Sequence, residues 1–83
     1  MDYTLTQHAR DAMNKRNIPV EWLEQVLAMP QVSEPDVVDP DLEHRLSAIP
    51  EHEDRVLRVI VNTKIIPERV VTMYFDRNMR GKL

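Results

Sequence analysis

The sequence predicts an α+β domain in which two N-terminal helices pack on one face of an antiparallel β-sheet of three to four strands. Three observations carry this reading. Apolar residues recur at helical spacing as far as Pro30, they alternate with period two from Arg55 onward, and the prolines in between fall where neither pattern continues.

Thr6 is a good N-cap ahead of Ala9, Ala12, Met13 and Arg16, which share a helical face, so the spacing predicts a helix over 7–16. Asn17 suits the left-handed position after a helix, and Pro19 is pre-set for a first helical turn. Val20, Leu23, Val26 and Leu27, flanked by Trp22, then repeat at the three-and-four spacing until Pro30 forbids continuation. A second helix is expected from about 19 to about 29. Pro35, Pro40 and Pro50 punctuate the acidic stretch that follows, which reads as loop and sheet edge with short extended pieces at 31–33 and 37–38. Strands are expected over 43–49, 55–62 and 68–77, the last two joined by 62–67. Alternation assigns Leu57, Val59, Val61, Val71, Met73 and Phe75 to the core face, and Val56, Arg58, Ile60, Val70, Thr72 and Tyr74 to the other.

The 83 residues suffice for one domain, 1–83, with 42% hydrophobic and 30% charged residues, an ordinary globular mixture. The absence of cysteine excludes disulfides, thiolate metal clusters and a cysteine nucleophile, and the single glycine, Gly81, excludes a glycine-rich phosphate loop. No apolar run approaches about 18 residues, and the N-terminus lacks a basic segment followed by an apolar one. A cytoplasmic protein without membrane contact is expected. His44, Glu51, His52, Glu53 and Asp54 have no recognised metal-ligand spacing and read as part of a hydrated connection, so neither metal nor cofactor is expected. A helix-turn-helix is rejected because the would-be recognition helix carries Glu21 and Glu24 and no basic residue. The net charge of -3 conceals a division: residues 34–54 hold eight carboxylates against Arg45 alone, whereas 55–83 hold seven basic residues against Glu68 and Asp76.

Four segments, Tyr3-Thr4-Leu5-Thr6-Gln7-His8-Ala9, Lys15-Arg16-Asn17-Ile18-Pro19, the run Arg55 to Asn62 and the run Val70 to Arg77, together resemble the small bacterial family DUF4258, a domain of unknown function. The resemblance covers nearly the whole chain and implies a fold similar to the RelE and ParE toxins within the barnase-like ribonuclease group. It points to His8, Arg16, Arg45, Arg58, Thr72 and Tyr74. The chain departs from the family pattern at Asn17, where glycine is common, and in its acidic linker.

Metal-independent RNA cleavage needs a base for the 2'-hydroxyl proton, a cation for the phosphorane and an acid for the leaving oxygen. His8, Arg58 and Tyr74 are the catalytic candidates: an imidazole for proton transfer, a guanidinium for phosphate and a phenol to stack or donate. Arg16, Arg45, Thr72 and Arg77 are the substrate-binding candidates. Arg58, Thr72 and Tyr74 share a face by the period of two, and Arg45 joins them if its strand pairs in register. The same residues have structural readings: His8 can bond across the helix–sheet joint, Arg16 can clamp a helix terminus, and Arg58 can pair with a cross-strand carboxylate. Glu34, Asp36, Asp39 and Asp41 are expected to form a solvent-facing edge that repels nucleic acid and leaves Arg58 and Arg77 as the permitted RNA surface. Two functions stay open. One is a toxin-like RNA-binding domain or metal-independent endoribonuclease, partnered by RNA and a cognate antitoxin. The other is a non-enzymatic adaptor that binds another protein. The oligomeric state is left open.

Overall fold

The structure is a computed structural model that describes residues 2–83. Its elements run β1 (Tyr3–Leu5), α1 (Gln7–Arg16), α2 (Val20–Ala28), β2 (Val32–Pro35), β3 (Leu42–Ile49), β4 (Arg55–Asn62) and β5 (Glu68–Phe75), with short 3-10 turns at Pro50–His52 and Arg77–Met79. The sheet order is β1-β5-β4-β3-β2.

The expected helices and the three long strands are present, but the sheet has five strands and is mixed rather than an antiparallel sheet of three or four. β1 lies parallel to β5, while the other neighbours are antiparallel. The extra strands are short edges that carry little periodicity. β1 has three residues, and β2 has four and ends on Pro35, whose missing N–H is tolerable at an edge. Val37 and Val38 are exposed turn residues, not a strand.

Local chemistry accounts for the helix ends. The Thr6 hydroxyl accepts the Ala9 N–H at 3.0 Å. Asn17 closes α1 in the left-handed conformation (φ 52°), and the Ile18 N–H returns to the Met13 carbonyl. Both helices cover one sheet face. Ala9, Ala12, Ile18, Leu23, Val26 and Leu27 pack there against Ile49, Leu57, Val59, Val61, Val70 and Met73. These side chains are withdrawn from water on both sides of the interface, and this is the domain's main source of cohesion.

One face assignment is corrected. Ile60 pairs with Thr72 and Val61 with Val70, which leaves Val71 as an extra residue in β5. This β-bulge shifts the alternation by one, so Val70 is fully buried in the core and Val71 only half-buried. A strict period of two cannot anticipate the shift. Exchanging either valine for Asp tests it. Val70→Asp, like Val59→Asp, buries a carboxylate at a cost of several kcal/mol, comparable to the roughly 5 kcal/mol available to a small domain, and should unfold it. Val71→Asp should keep a cooperative thermal transition, measured by circular dichroism. Equal losses for Val70→Asp and Val71→Asp would contradict the bulge.

Candidate functional site

The sheet separates the arginines singled out from sequence. Arg45 lies opposite Val59, so its side chain is on the helix-covered face, away from Arg58 and Tyr74. There it makes a bidentate ion pair with Glu68 (3.0 and 2.9 Å), reaches Glu43 at 3.2 Å and donates to the Leu27 carbonyl at 3.4 Å. The last turn of α2 contains no basic residue, and Arg45 supplies a cation there from the sheet. The bonds to Glu68 lead in holding its guanidinium above the ordinary value, against the opposing effect of burial.

The opposite face carries a polar network. Arg58 stands across from Tyr74 on one side and Leu46 on the other, and Thr72 lies across from Ile60. Arg58 Nε and Nη2 meet Asp76 Oδ2 at 2.9 and 2.8 Å, while Nη1 donates to Glu34 Oε1 at 3.0 Å and to His44 Nδ1 at 2.7 Å. A guanidinium only donates, so the His44 ring proton lies on Nε2, which bonds Asp36 Oδ1 at 2.7 Å. Burial acts to lower the Arg58 pKa, but the bonds to Glu34 and Asp76 outweigh it and leave the guanidinium above its ordinary value. Four of its five N–H groups are engaged, which leaves little for a phosphate. Glu34 and Asp36 are therefore not a separate repelling edge. Glu34 pairs with Arg58 directly and Asp36 is tied to it only through the His44 ring, while Glu34, Asp39 and Asp41 stay exposed to solvent.

The third grouping gathers at the end of the sheet where β4 begins and β5 stops. Arg16, Arg55, Arg77 and Arg80 line an open cavity of about 640 Å³ together with His52, Val56, Phe75 and Asp76. Each arrives from a terminus. Arg16 is the last residue of α1, Arg55 the first of β4, and Arg77 opens the 3-10 turn for which Asp76 is the N-cap, its Oδ1 accepting the Asn78 N–H at 3.0 Å. His52 ends the turn after β3, and Glu53 and Asp54 follow with φ of 57° each, which reverses the chain into β4. The His52 ring packs on Phe75 (4.8 Å between centroids) and Trp22 (5.3 Å), giving the cavity an aromatic wall. Among the described residues, Arg16, Arg55 and Arg77 have no ion-pair or side-chain hydrogen-bond partner. Arg80 donates to the Glu53 carbonyl at 3.1 Å and lies 3.8 Å from its carboxylate. The His52 ring nitrogens are likewise free of protein partners, unlike those of His44.

Of the sequence-stated candidates, this cavity brings together Arg16 and Arg77. Arg58, Thr72 and Tyr74 share the neighbouring sheet face, Arg45 lies on the far side, and His8 is exposed in the first turn of α1. His8 is about 12 Å from Arg16 along the helix, at 1.5 Å per residue. Sequence reasoning missed Arg55, Arg80 and His52. The available signal was register: with Leu57 opposite Phe75, two further residues bring Arg55 level with Arg77.

The fold and site define an α+β domain with helices on one sheet face, a charge network on the other and an arginine-lined cavity at the sheet's end. The chain belongs to the DUF4258 family, a domain of unknown function, whose model matches residues 5–75. That span includes Arg16, His52, Arg55 and Phe75 and stops short of Arg77 and Arg80. Comparison with curated proteins and with solved structures found no match. No helix among the described residues is long and apolar enough to cross a membrane.

The network makes a pH prediction. The Asp39 N–H, the His44 ring and the Val38 N–H, in that order, hold the Asp36 carboxyl at about 2, below its ordinary 3.8. A depressed carboxylate contributes stability that is fully present above its unfolded value and is lost as pH falls toward the folded one. The gap in melting temperature between the parent and Asp36→Asn should be constant above about pH 5 and close between about pH 4 and 2. A gap that widened on acidification would contradict the network.

Proposed function

We propose that this chain binds RNA through the arginine cavity. The observation that carries the reading is the convergence of four guanidiniums in one open cavity, three of them without a carboxylate partner among the described residues. Exposed like charges repel, and a phosphate chain is the ligand that offsets this cost while accepting the planar fork of each guanidinium. The aromatic wall of His52 and Phe75 suits nucleobases more than a bare inorganic anion, and base stacking on such side chains is a recurrent means of holding unpaired RNA. The net charge of -3 does not oppose this, because potential is local and decays over about 8 Å at physiological salt.

Catalysis is the extension of the same reading, toward the toxin-like, metal-independent endoribonuclease that the family resemblance implies. His52 is then the histidine for proton transfer, since it lines the arginine cavity with both ring nitrogens unengaged, whereas His44 is tied at both and His8 lies along α1. A second reading, protein docking, draws on Val37 and Val38, which are 98% and 85% exposed at the tip of the acidic β2–β3 turn.

Binding of a fluorescent, unstructured RNA tests the first reading. Affinity should fall steeply with salt. Arg16→Ala and Arg77→Ala should each weaken binding and reduce the slope of log K against log salt by about 0.7 for each lost phosphate contact. Lys64→Ala, just past the far end of β4, whose span from Arg55 to Asn62 is about 23 Å by strand rise, should leave the slope unchanged. Any cleavage should persist in EDTA and fall at least a hundredfold in His52→Gln, as removal of a general acid–base group does. Salt-insensitive or undetectable binding would remove the reading.

A further inference from the structure

The arginine cavity contains one acidic side chain among its lining residues, Asp76. A carboxylate in a phosphate site is an obstacle, because it repels the ligand and competes for the guanidiniums that should hold it. Asp76 does neither job here. Its Oδ2 is held by Arg58 through Nε at 2.9 Å and Nη2 at 2.8 Å, its Oδ1 accepts the Asn78 N–H, and its side chain is only 13% exposed. Arg58 does not line the cavity and is itself fixed from the other side by Glu34 and His44.

We infer that Arg58 is a positioning residue for the anion cavity: it makes no contact with the ligand and acts by holding the Asp76 carboxylate against the sheet face, leaving Arg16, Arg55 and Arg77 for phosphate. The inference rests on the cavity being the phosphate site. The capping oxygen of Asp76 cannot be dispensed with, because it holds the turn that carries Arg77 and Arg80, and Arg58 reconciles the charge that comes with it with a site for anions. The arrangement gives Arg58 an effect on binding that is opposite in origin to that of Arg77. Loss of Arg77 removes an attraction, whereas loss of Arg58 releases a repulsion.

A double-mutant series distinguishes the two. Arg58→Met should weaken RNA binding roughly tenfold, the effect of about 1.4 kcal/mol of added repulsion, without changing the salt slope. Asp76→Asn, which keeps an N-cap side chain, should restore affinity to within about twofold of the parent when combined with Arg58→Met. Should Arg58→Met fail to fold, Arg58→Gln, which keeps donors without the charge, replaces it. The series is repeated with inorganic pyrophosphate, read by calorimetry, so that the two claims separate. If pyrophosphate follows the pattern but RNA is not bound, the RNA reading falls and the role of Arg58 stands. If Arg58→Met lowers the salt slope as Arg77→Ala does and Asp76→Asn gives no rescue, Arg58 is a direct ligand and the inference is overturned. Parent-like binding by Arg58→Met, or no binding of either probe by the parent, overturns it as well.

Discussion

One extra residue in β5 decides how the rest of the molecule is assembled. Because Val71 has no partner in β4, the two halves of β5 alternate out of phase, and Val70 and Met73 can both enter the core. Thr6 anchors this irregularity. Its hydroxyl donates to the Val71 carbonyl at 2.7 Å and accepts the Ala9 N–H, while its backbone N–H reaches the Val70 carbonyl at 3.1 Å. A single side chain thus satisfies a carbonyl at the bulge and starts α1, and β1 is drawn alongside β5 in the process. The phase shift also turns Glu68 toward the helix-covered face, where it captures Arg45. Without the bulge, Arg45 would have one fewer carboxylate and the end of α2 a less securely held cation.

The distribution of carboxylates follows from these placements and explains why an acidic protein has an unneutralised basic cavity. Glu68 and Glu43 hold Arg45, Glu34 and Asp76 hold Arg58, and Asp36 holds His44. The two arginines in the middle of strands, where water is scarce, receive partners with close geometry. Among the described residues, the arginines at the cavity's element ends, where water is plentiful, receive none except for the loose Arg80–Glu53 contact. Desolvation sets this division, because an unpaired charge within the sheet would be costly whereas one at its rim is cheap. Net charge therefore says little about the cavity. Its potential is set by which charges remain unpaired near it.

How much of this was legible in the sequence depends on whether the controlling interaction is local. α1 and β4 are read to the residue, because Thr6 and Asn17 bound one and the Arg55 to Asn62 alternation defines the other. β1 was not legible, since three residues pairing with a strand more than sixty positions away leave no periodic trace. The same holds for the site. The carboxylate reading of Arg58 was among those available from sequence, but its partners Glu34 and Asp76 lie 24 and 18 residues away on different elements. Arg45 went to the other face because Arg45 pairs with Val59 in exact register, which alternation within one strand does not disclose. His52 was hidden by its setting, a proline-led turn that reads as hydrated loop until the strands on either side place it against Trp22 and Phe75.

Size explains why the site lies at an edge and the second sheet face is polar. A chain of 83 residues can build one well-covered apolar layer, and both helices are committed to it. Among the described residues no helix covers the opposite face, which is closed by a network of ion pairs and hydrogen bonds centred on Arg58, laid over buried Leu46. Such a network specifies geometry without adding much net stability, since each charge must first be desolvated. Its value lies in what it immobilises: the β2 edge through Glu34, the acidic turn through His44 and Asp36, and the start of the C-terminal turn through Asp76. The last of these borders the arginine cavity. In a domain too small for a second core, the interaction that closes the open sheet face also fixes the charge at the mouth of the site.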